Sequence, residues 1–320
     1  MRCAALAGLA LTVLGQVPLS GQYTPTTPSQ AAPSPVKLSG YIQAREVYQN
    51  RIGLTSSINR ARLTASGGVI EAVAWRVQGE FRTGSVGTGR ASVSLQDAYV
   101  RYNPGTWAVQ AGQFKTPFTR EFITSLADIE TADRSTAVDS LAPKRDIGLM
   151  GEYTYQRFSL WAGVFNGEGQ NVTANADSTV LGVARLAVRL LPQLSLAVNG
   201  ARYFGDSTRY GVDAAYEDTR FAAKGEYLGQ SRDEASGSDD WGWYGLGAVY
   251  VIPAVQAVGK YEEFGRPSVT TSVKSRAWTA GLNLYPSGKN LRLTFDYLSR
   301  RIGEPGVRKG RLLAQVQAKF

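Results

Sequence analysis

The 320-residue chain has no histidine and a single cysteine, Cys3. Without histidine it cannot assemble a Ser-His-Asp or Cys-His nucleophile or a His-ligated zinc, so the commonest general base and the commonest metal ligand are both missing. An ordinary hydrolase is therefore not expected; no catalytic residue, metal or cofactor is assigned. Helical membrane spans are also lacking: the apolar run at residues 4–14 is shorter than the roughly 20 residues that cross a bilayer as a helix. No Gly-rich segment sits between a strand and a helix, so TGSVGTGR (83–90) and GEGQN (167–171) read as turns rather than nucleotide loops.

What the N-terminus does have is Arg2, the apolar run and a small-residue zone holding Gly15, Ser20 and Gly21, the layout of a secretory signal peptide over residues 1–21 with its cleavage point left open. Removing it removes Cys3, so the exported chain enters an oxidising compartment without a thiol. Export also makes nucleic acid a poor account of the basic charge. Residues 22–35 are rich in Pro, Thr and Ser without apolar periodicity and read as a disordered linker. Structure is expected over 36–320.

From there the chain alternates with period two almost to its end, as in RARLTAS (60–66), WRVQGEFR (75–82), LRLTFDY (291–297) and RLLAQVQAKF (311–320), the pattern of strands with unlike faces. About sixteen such runs are separated by connections of two kinds in alternation. Tight turns fall near 67–71, 103–105, 155–157, 191–193, 217–219, 252–254 and 286–289. Longer connections fall near 50–57, 83–91, 114–144, 167–178, 230–240, 265–273 and 301–309, with a short exception at 205–207. Sorting of turns and loops to opposite ends, with an even strand count, predicts an all-β, antiparallel transmembrane β-barrel.

One parity carries the apolar residues, among them Trp75, Val77, Gly79 and Phe81; Tyr210, Val212, Ala214 and Tyr216; Tyr244, Leu246, Ala248 and Tyr250; and Leu291, Leu293, Phe295 and Tyr297. This set is expected to face lipid, with aromatic residues forming a girdle at each interface. In VSLQDAYVRY (93–102) the parity switches, which predicts a β-bulge near Gln96 and Asp97. The last strand ends on Phe320 and resembles the C-terminal signal that outer-membrane proteins present to the barrel-insertion machinery.

The opposite parity is basic. It includes Arg45, Arg60, Arg62, Arg76, Arg82, Arg185, Arg189, Lys224, Lys260, Arg292 and Arg311, and without Arg2 the chain holds 34 basic and 26 acidic residues. Cations lining a water-filled, low-dielectric bore concentrate anions and repel cations, so small inorganic anions are the expected partners. The competing reading is that Glu80, Glu152, Asp213, Glu226 and Asp296 pair with roughly half of these cations, which then only brace the wall. The connection at 114–144 is too long for a hairpin loop and apolar enough to pack, so it is expected to fold into the lumen and narrow it. It brings Lys115 and Arg120 at one end and Lys144 and Arg145 at the other, donors suited to phosphate oxygens.

INRARL (58–63), VSLQDAYVRY (93–102), GQFKTPF (112–118), LAPKRDIGL (141–149) and GVFNGEG (163–169), in this order, resemble the phosphate-selective porin O and P family. The resemblance spans roughly 36–320. It implies a sixteen-stranded barrel in the bacterial outer membrane, usually a homotrimer, in which arginines and a lysine-bearing constriction lead anions such as phosphate through. Arg60 and Arg62 match the family's early basic motif, with Asn59 where an Arg is expected. The alternatives are a non-selective diffusion porin and, with less support, an outer-membrane enzyme or adhesin on the same barrel.

Overall fold

The structure, a computed structural model, describes residues 35–82, 91–175, 179–233, 239–267, 273–303 and 306–320. The leader at 1–21, the linker up to residue 34 and the turn at 83–90 lie outside the described residues. The strands are β1 (Lys37–Gln49), β2 (Gly53–Ile70), β3 (Val73–Arg82), β4 (Ser92–Tyr102), β5 (Trp107–Lys115), β6 (Arg145–Tyr155), β7 (Phe158–Phe165) and β8 (Leu181–Arg189). They continue as β9 (Leu194–Tyr203), β10 (Ser207–Glu217), β11 (Phe221–Arg232), β12 (Trp241–Ile252), β13 (Val255–Arg266), β14 (Val273–Leu284), β15 (Pro286–Lys289), β16 (Leu291–Ile302) and β17 (Val307–Lys319). All but the short β15 join one closed antiparallel barrel, each pairing with its neighbour in sequence and β17 returning to β1. This is the sixteen-stranded ring that the alternation predicts.

Closure is completed at the chain's last residue. The N–H of Gly40 donates to the carbonyl of Phe320 at 2.9 Å, and the N–H of Phe320 donates back to Gly40 at 3.1 Å. The Phe320 ring fills the space above Gly40, where a Cβ would lie 2.7 Å from the ring's Cζ. The predicted bulge is present: Gln78 faces Asp97 while Gly79 faces Leu95, so Gln96 is the extra residue and both Gln96 and Asp97 are buried on the lumen side. A second bulge occurs where Gln43 faces Arg60 but Ala44 faces Ile58, leaving Asn59 as the extra residue.

Two expectations are corrected. The connection placed at 50–57 is a turn of residues 50–52, because β2 pairs with β1 from Gly53 onward. In β12, Tyr244, Leu246 and Ala248 face the lumen and are buried, with Tyr250 on the same side, while Trp243, Gly245 and Gly247 face outward. The rule of an apolar outside and a polar inside fails here because the inward loop carries an apolar core of its own. That core needs an apolar wall.

The loop at 116–144 enters the lumen with two short helices, α1 (Arg120–Ile123) and α2 (Thr136–Leu141), capped by the side chains of Thr119 and Ser135. Phe118, Phe122, Val138 and Leu141 pack with Tyr244, Leu246 and Phe264 of the wall in one buried cluster. Lys115 Nζ, fully enclosed, donates to the carbonyls of Phe122, Ile123 and Thr124 at 2.8, 3.1 and 2.9 Å. Glu226 accepts from the N–H groups of Arg120 and Glu121 at 2.9 and 2.5 Å. On the far side, Gln317 and Arg292 donate to the carbonyls of Ala127 and Ile129 at 3.0 and 2.8 Å, and Asp296 accepts from the N–H of Ala132 at 2.8 Å. The loop therefore crosses the lumen and satisfies its backbone through wall side chains, as buried polar groups must. Among the described residues no helix is long and apolar enough to cross a membrane; the strands cross instead.

Two outcomes follow from this packing. Gly112 has φ +125 and a Cβ there would lie 2.8 Å from Tyr99 Cα, so Gly112→Ala is expected to destabilise the barrel by about 1–3 kcal/mol. Heat-modifiable gel mobility checks this, with Gly245→Ala, whose Cβ meets nothing within 4 Å, as the unaffected comparison. Lys115→Met removes a donor from three carbonyls, two of which, Phe122 and Thr124, keep Arg134, so the loss falls chiefly on the Ile123 carbonyl, at about 1–3 kcal/mol if it stays buried and unsatisfied. Limited proteolysis is expected to cut the variant within 116–144 and to spare the native chain.

Candidate functional site in the barrel lumen

Inward-pointing positions of β2, β3, β4 and β6 build an arginine-rich arc on one side of the inward loop. Glu80 on β3 lies between three guanidiniums: Arg60 is 3.8 Å away, and Arg62 and Arg82 form direct ion pairs with it. The Gln96 bulge turns Asp97 inward as well, where it meets Arg76 at 3.3 Å and Arg145 at 2.8 Å. Five arginines thus surround two carboxylates, and the arc holds more positive charge than its acids neutralise. Arg62 also sits over the Tyr41 ring, 5.8 Å from its centroid, which fixes the guanidinium plane. The side chains of Arg60, Arg76 and Arg82 keep 17, 26 and 53% of their surface open, while Arg62 and Arg145 are buried behind them.

The loop supplies the facing edge. Asp133, at 33% exposure, pairs with Arg45 at 2.9 Å and with Arg311 at 2.6 Å. Arg134 donates to the carbonyls of Glu121 and Phe122 at 3.0 and 3.1 Å and stacks 5.0 Å from the Phe122 ring. Burial, assisted by Arg145 and Arg60 and opposed by Asp139 and Glu121, lowers the Arg134 guanidinium to about 10, so it remains charged at neutral pH. Between the loop and β13 to β17 a cavity of about 30 Å³, room for a water or two, is lined by Asp133, Arg134, Lys260, Arg300 and Arg311 among others.

The ten cations assigned to the anion pathway fall into three groups. Arg60, Arg62, Arg76, Arg82 and Arg145 are brought together around Glu80 and Asp97. Arg120 and Arg185 meet on Asp213, at 2.8 and 2.6 Å, sealed between the loop and the wall with almost no exposed surface. Lys115 is enclosed in its carbonyl cage, whereas Lys144 is exposed at the loop's end and Arg189 is exposed beside the turn at 190–193.

Bracing carboxylates occur as the competing reading expects at Glu80, Glu152 and Asp213, with Arg101 on Glu152 at 2.8 Å. Glu226 and Asp296 differ, because each accepts backbone N–H bonds from the loop. Three lumen cations escaped the sequence reading, Arg101, Arg300 and Arg134. Arg300 continues the inward parity of Arg292, Thr294, Asp296 and Leu298 and was available from alternation alone. Arg134 lies in a segment without periodicity and carried no such signal.

Field lines from these charges are focused along the lumen by the low-dielectric wall. The arrangement is an electrostatic surface around a passage.

No curated protein matches the chain in sequence. Solved structures match its fold throughout. OmpT of Vibrio cholerae, folded in vitro and described as a trimer form, aligns with TM-score 0.69 and 12% identity over 91% of this chain and 100% of that one. An anion-selective porin from Comamonas acidovorans aligns with TM-score 0.65 and 12% identity over 90% and 100%. A mutant of the Rh. blastica porin aligns with TM-score 0.59 and 15% identity over 89% and 100%. At such identities these structures are evidence for the barrel alone. The family model of phosphate-selective porin O and P matches residues 39–231, spanning the arginine arc and the whole inward loop. The chain belongs to the phosphate-selective porin O and P family and is a porin of the bacterial outer membrane.

Proposed function

We propose that this porin is an anion-selective channel for passive uptake of phosphate or similar small anions, and that it works as a homotrimer. The observation that carries the reading is the arc of five arginines on two carboxylates, three of them open to the lumen, faced by a rigidly anchored loop. An anion entering the bore exchanges part of its hydration for guanidinium N–H donors, and Arg60, Arg76 and Arg82 offer planar forks for phosphate oxygens. Glu80 and Asp97 hold the guanidiniums in place and moderate their field, which keeps binding weak enough for release. The anion-selective and trimeric descriptions of the aligned porins are consistent with this reading.

Reversal potentials in planar bilayers under a chloride gradient test it. Native channels are expected to be anion-selective and to be blocked by added phosphate. Arg60→Glu combined with Arg76→Glu is expected to reduce the anion-to-cation permeability ratio about tenfold at low salt. The difference shrinks towards 1 M salt, where the Debye length falls from about 10 Å to about 3 Å. Equal permeation of both signs by the native channel would leave a general diffusion porin whose arginines only brace the wall.

A further inference from the structure

Outside the bore, the lipid-facing wall carries a concentration of positive charge that transport does not use. Arg276 on β14 stands directly opposite Arg301 on β16, and Arg301 stands directly opposite Arg308 on β17. The neighbouring Arg300 bonds Thr136 and Glu262 inside the lumen, so the pleat turns Arg301, and with it its cross-strand partners Arg276 and Arg308, outward. Adjacent strands are about 4.8 Å apart, which puts three arginine Cα atoms within roughly 10 Å along one row. Like charges placed opposite one another across strands destabilise a sheet. Lys274, two residues before Arg276 on the same face, lies 5.6 Å from the centroid of the Trp241 ring and adds a fourth cation.

Glu263 reaches Lys274 at 3.4 Å and Arg276 at 3.1 Å and also accepts the Tyr261 hydroxyl at 2.8 Å. Arg301 and Arg308 are exposed and make no ion pair among the described residues. Elsewhere on the outward face the pattern is different: Arg202 is matched by Asp233 through two 2.7 Å bonds.

The height of the row matters as much as its charge. Trp278 and Tyr297 on the same two strands stack outward with centroids 5.2 Å apart, and Trp243 with Tyr261 at 5.5 Å extends the aromatic band. Such rings mark the edge of the hydrocarbon. Arg276 lies two residues beyond Trp278, about 7 Å further along the strand, at the end of the barrel bearing the long loops. That end faces the cell exterior in an outer-membrane barrel. The row therefore stands in the headgroup layer of the outer leaflet.

We infer that Arg276, Arg301 and Arg308, with Lys274, form a binding site for the phosphate groups of an anionic glycolipid of the outer leaflet. A phosphate bridging adjacent guanidiniums relieves their mutual repulsion through charge-assisted hydrogen bonds, while the acyl chains lie along the apolar wall below the aromatic band. The site faces away from the bore, so its occupant is a membrane lipid rather than a permeating anion.

The test uses the full barrel in detergent, with retention of diphosphoryl lipid A measured by native mass spectrometry against its dephosphorylated form. The native chain is expected to retain the diphosphoryl form at least about tenfold more strongly, and Arg276→Gln, Arg301→Gln and Arg308→Gln together are expected to abolish the difference. Equal retention by native and triple variant, or equal retention of the two lipids by the native chain, overturns the inference. So does displacement of the lipid by millimolar inorganic phosphate, which would reveal a free-anion site. Heat-modifiable mobility reports whether the triple variant is folded; if it is not, Arg301→Gln and Arg308→Gln singly are each expected to show partial loss, and no loss in either overturns the inference. The reversal potential of these variants is expected to match the native channel, which separates this test from that of the transport reading.

Discussion

The seam between β1 and β17 joins the two ends of the described chain by the same backbone hydrogen bonds that join all its other strands, and the Gly40 to Phe320 pair completes it. In hydrocarbon an unpaired N–H or carbonyl costs several kcal/mol, so a sheet is stable there only when it has no edge. Once the ring is closed, side chains divide into those that meet lipid and those that meet the lumen, and strand parity acquires its meaning. The Phe320 ring over Gly40 shows how tightly this seam is fitted, since any other residue at 40 would collide with it.

A closed ring of sixteen strands encloses more space than wall side chains fill, and the inward loop occupies much of it. Its burial creates a second set of obligations, because a loop in the lumen must have its backbone groups met by the wall. Lys115, Arg292, Gln317 and Asn283 donate to its carbonyls, while Glu226 and Asp296 accept its N–H bonds. These anchors take several charged lumen residues out of the passage. The lumen charge left open is therefore a small part of the total, and arginines outnumber carboxylates around Glu80 and Asp97.

Much of this was legible along the chain. Period-two alternation located the barrel strands, because each residue step turns a side chain to the other face whatever lies across the sheet. The break of phase at Gln96 and Asp97 disclosed a bulge, which proved to be the device that aims Asp97 at Arg76 and Arg145. Alternation misassigned β12, where Tyr244, Leu246 and Ala248 are apolar yet face inward, since the inside they meet is Val138 and Leu141 of the loop's core and not water. It also placed a loop at 50–57, because Leu54, Ser56 and Ile58 form too weak a pattern to reveal strand pairing without the partner β1.

The sequence by itself determined, for the strands other than β12, which residues lie on which side of a membrane wall, that the inner side is basic, and that one connection is too long and too apolar to stay outside. These are local properties, set by the alternation of the pleat and by composition. Only the tertiary structure decided which cations an ion can reach. That depends on through-space neighbours that lie tens to hundreds of residues apart: Arg45 with Gln315, Arg120 and Arg185 with Asp213, Arg311 with Asp133. Coulomb energy falls with distance in space and not with separation along the chain, so the division of the same residue type into braces and solvated pathway groups exists only in the closed barrel.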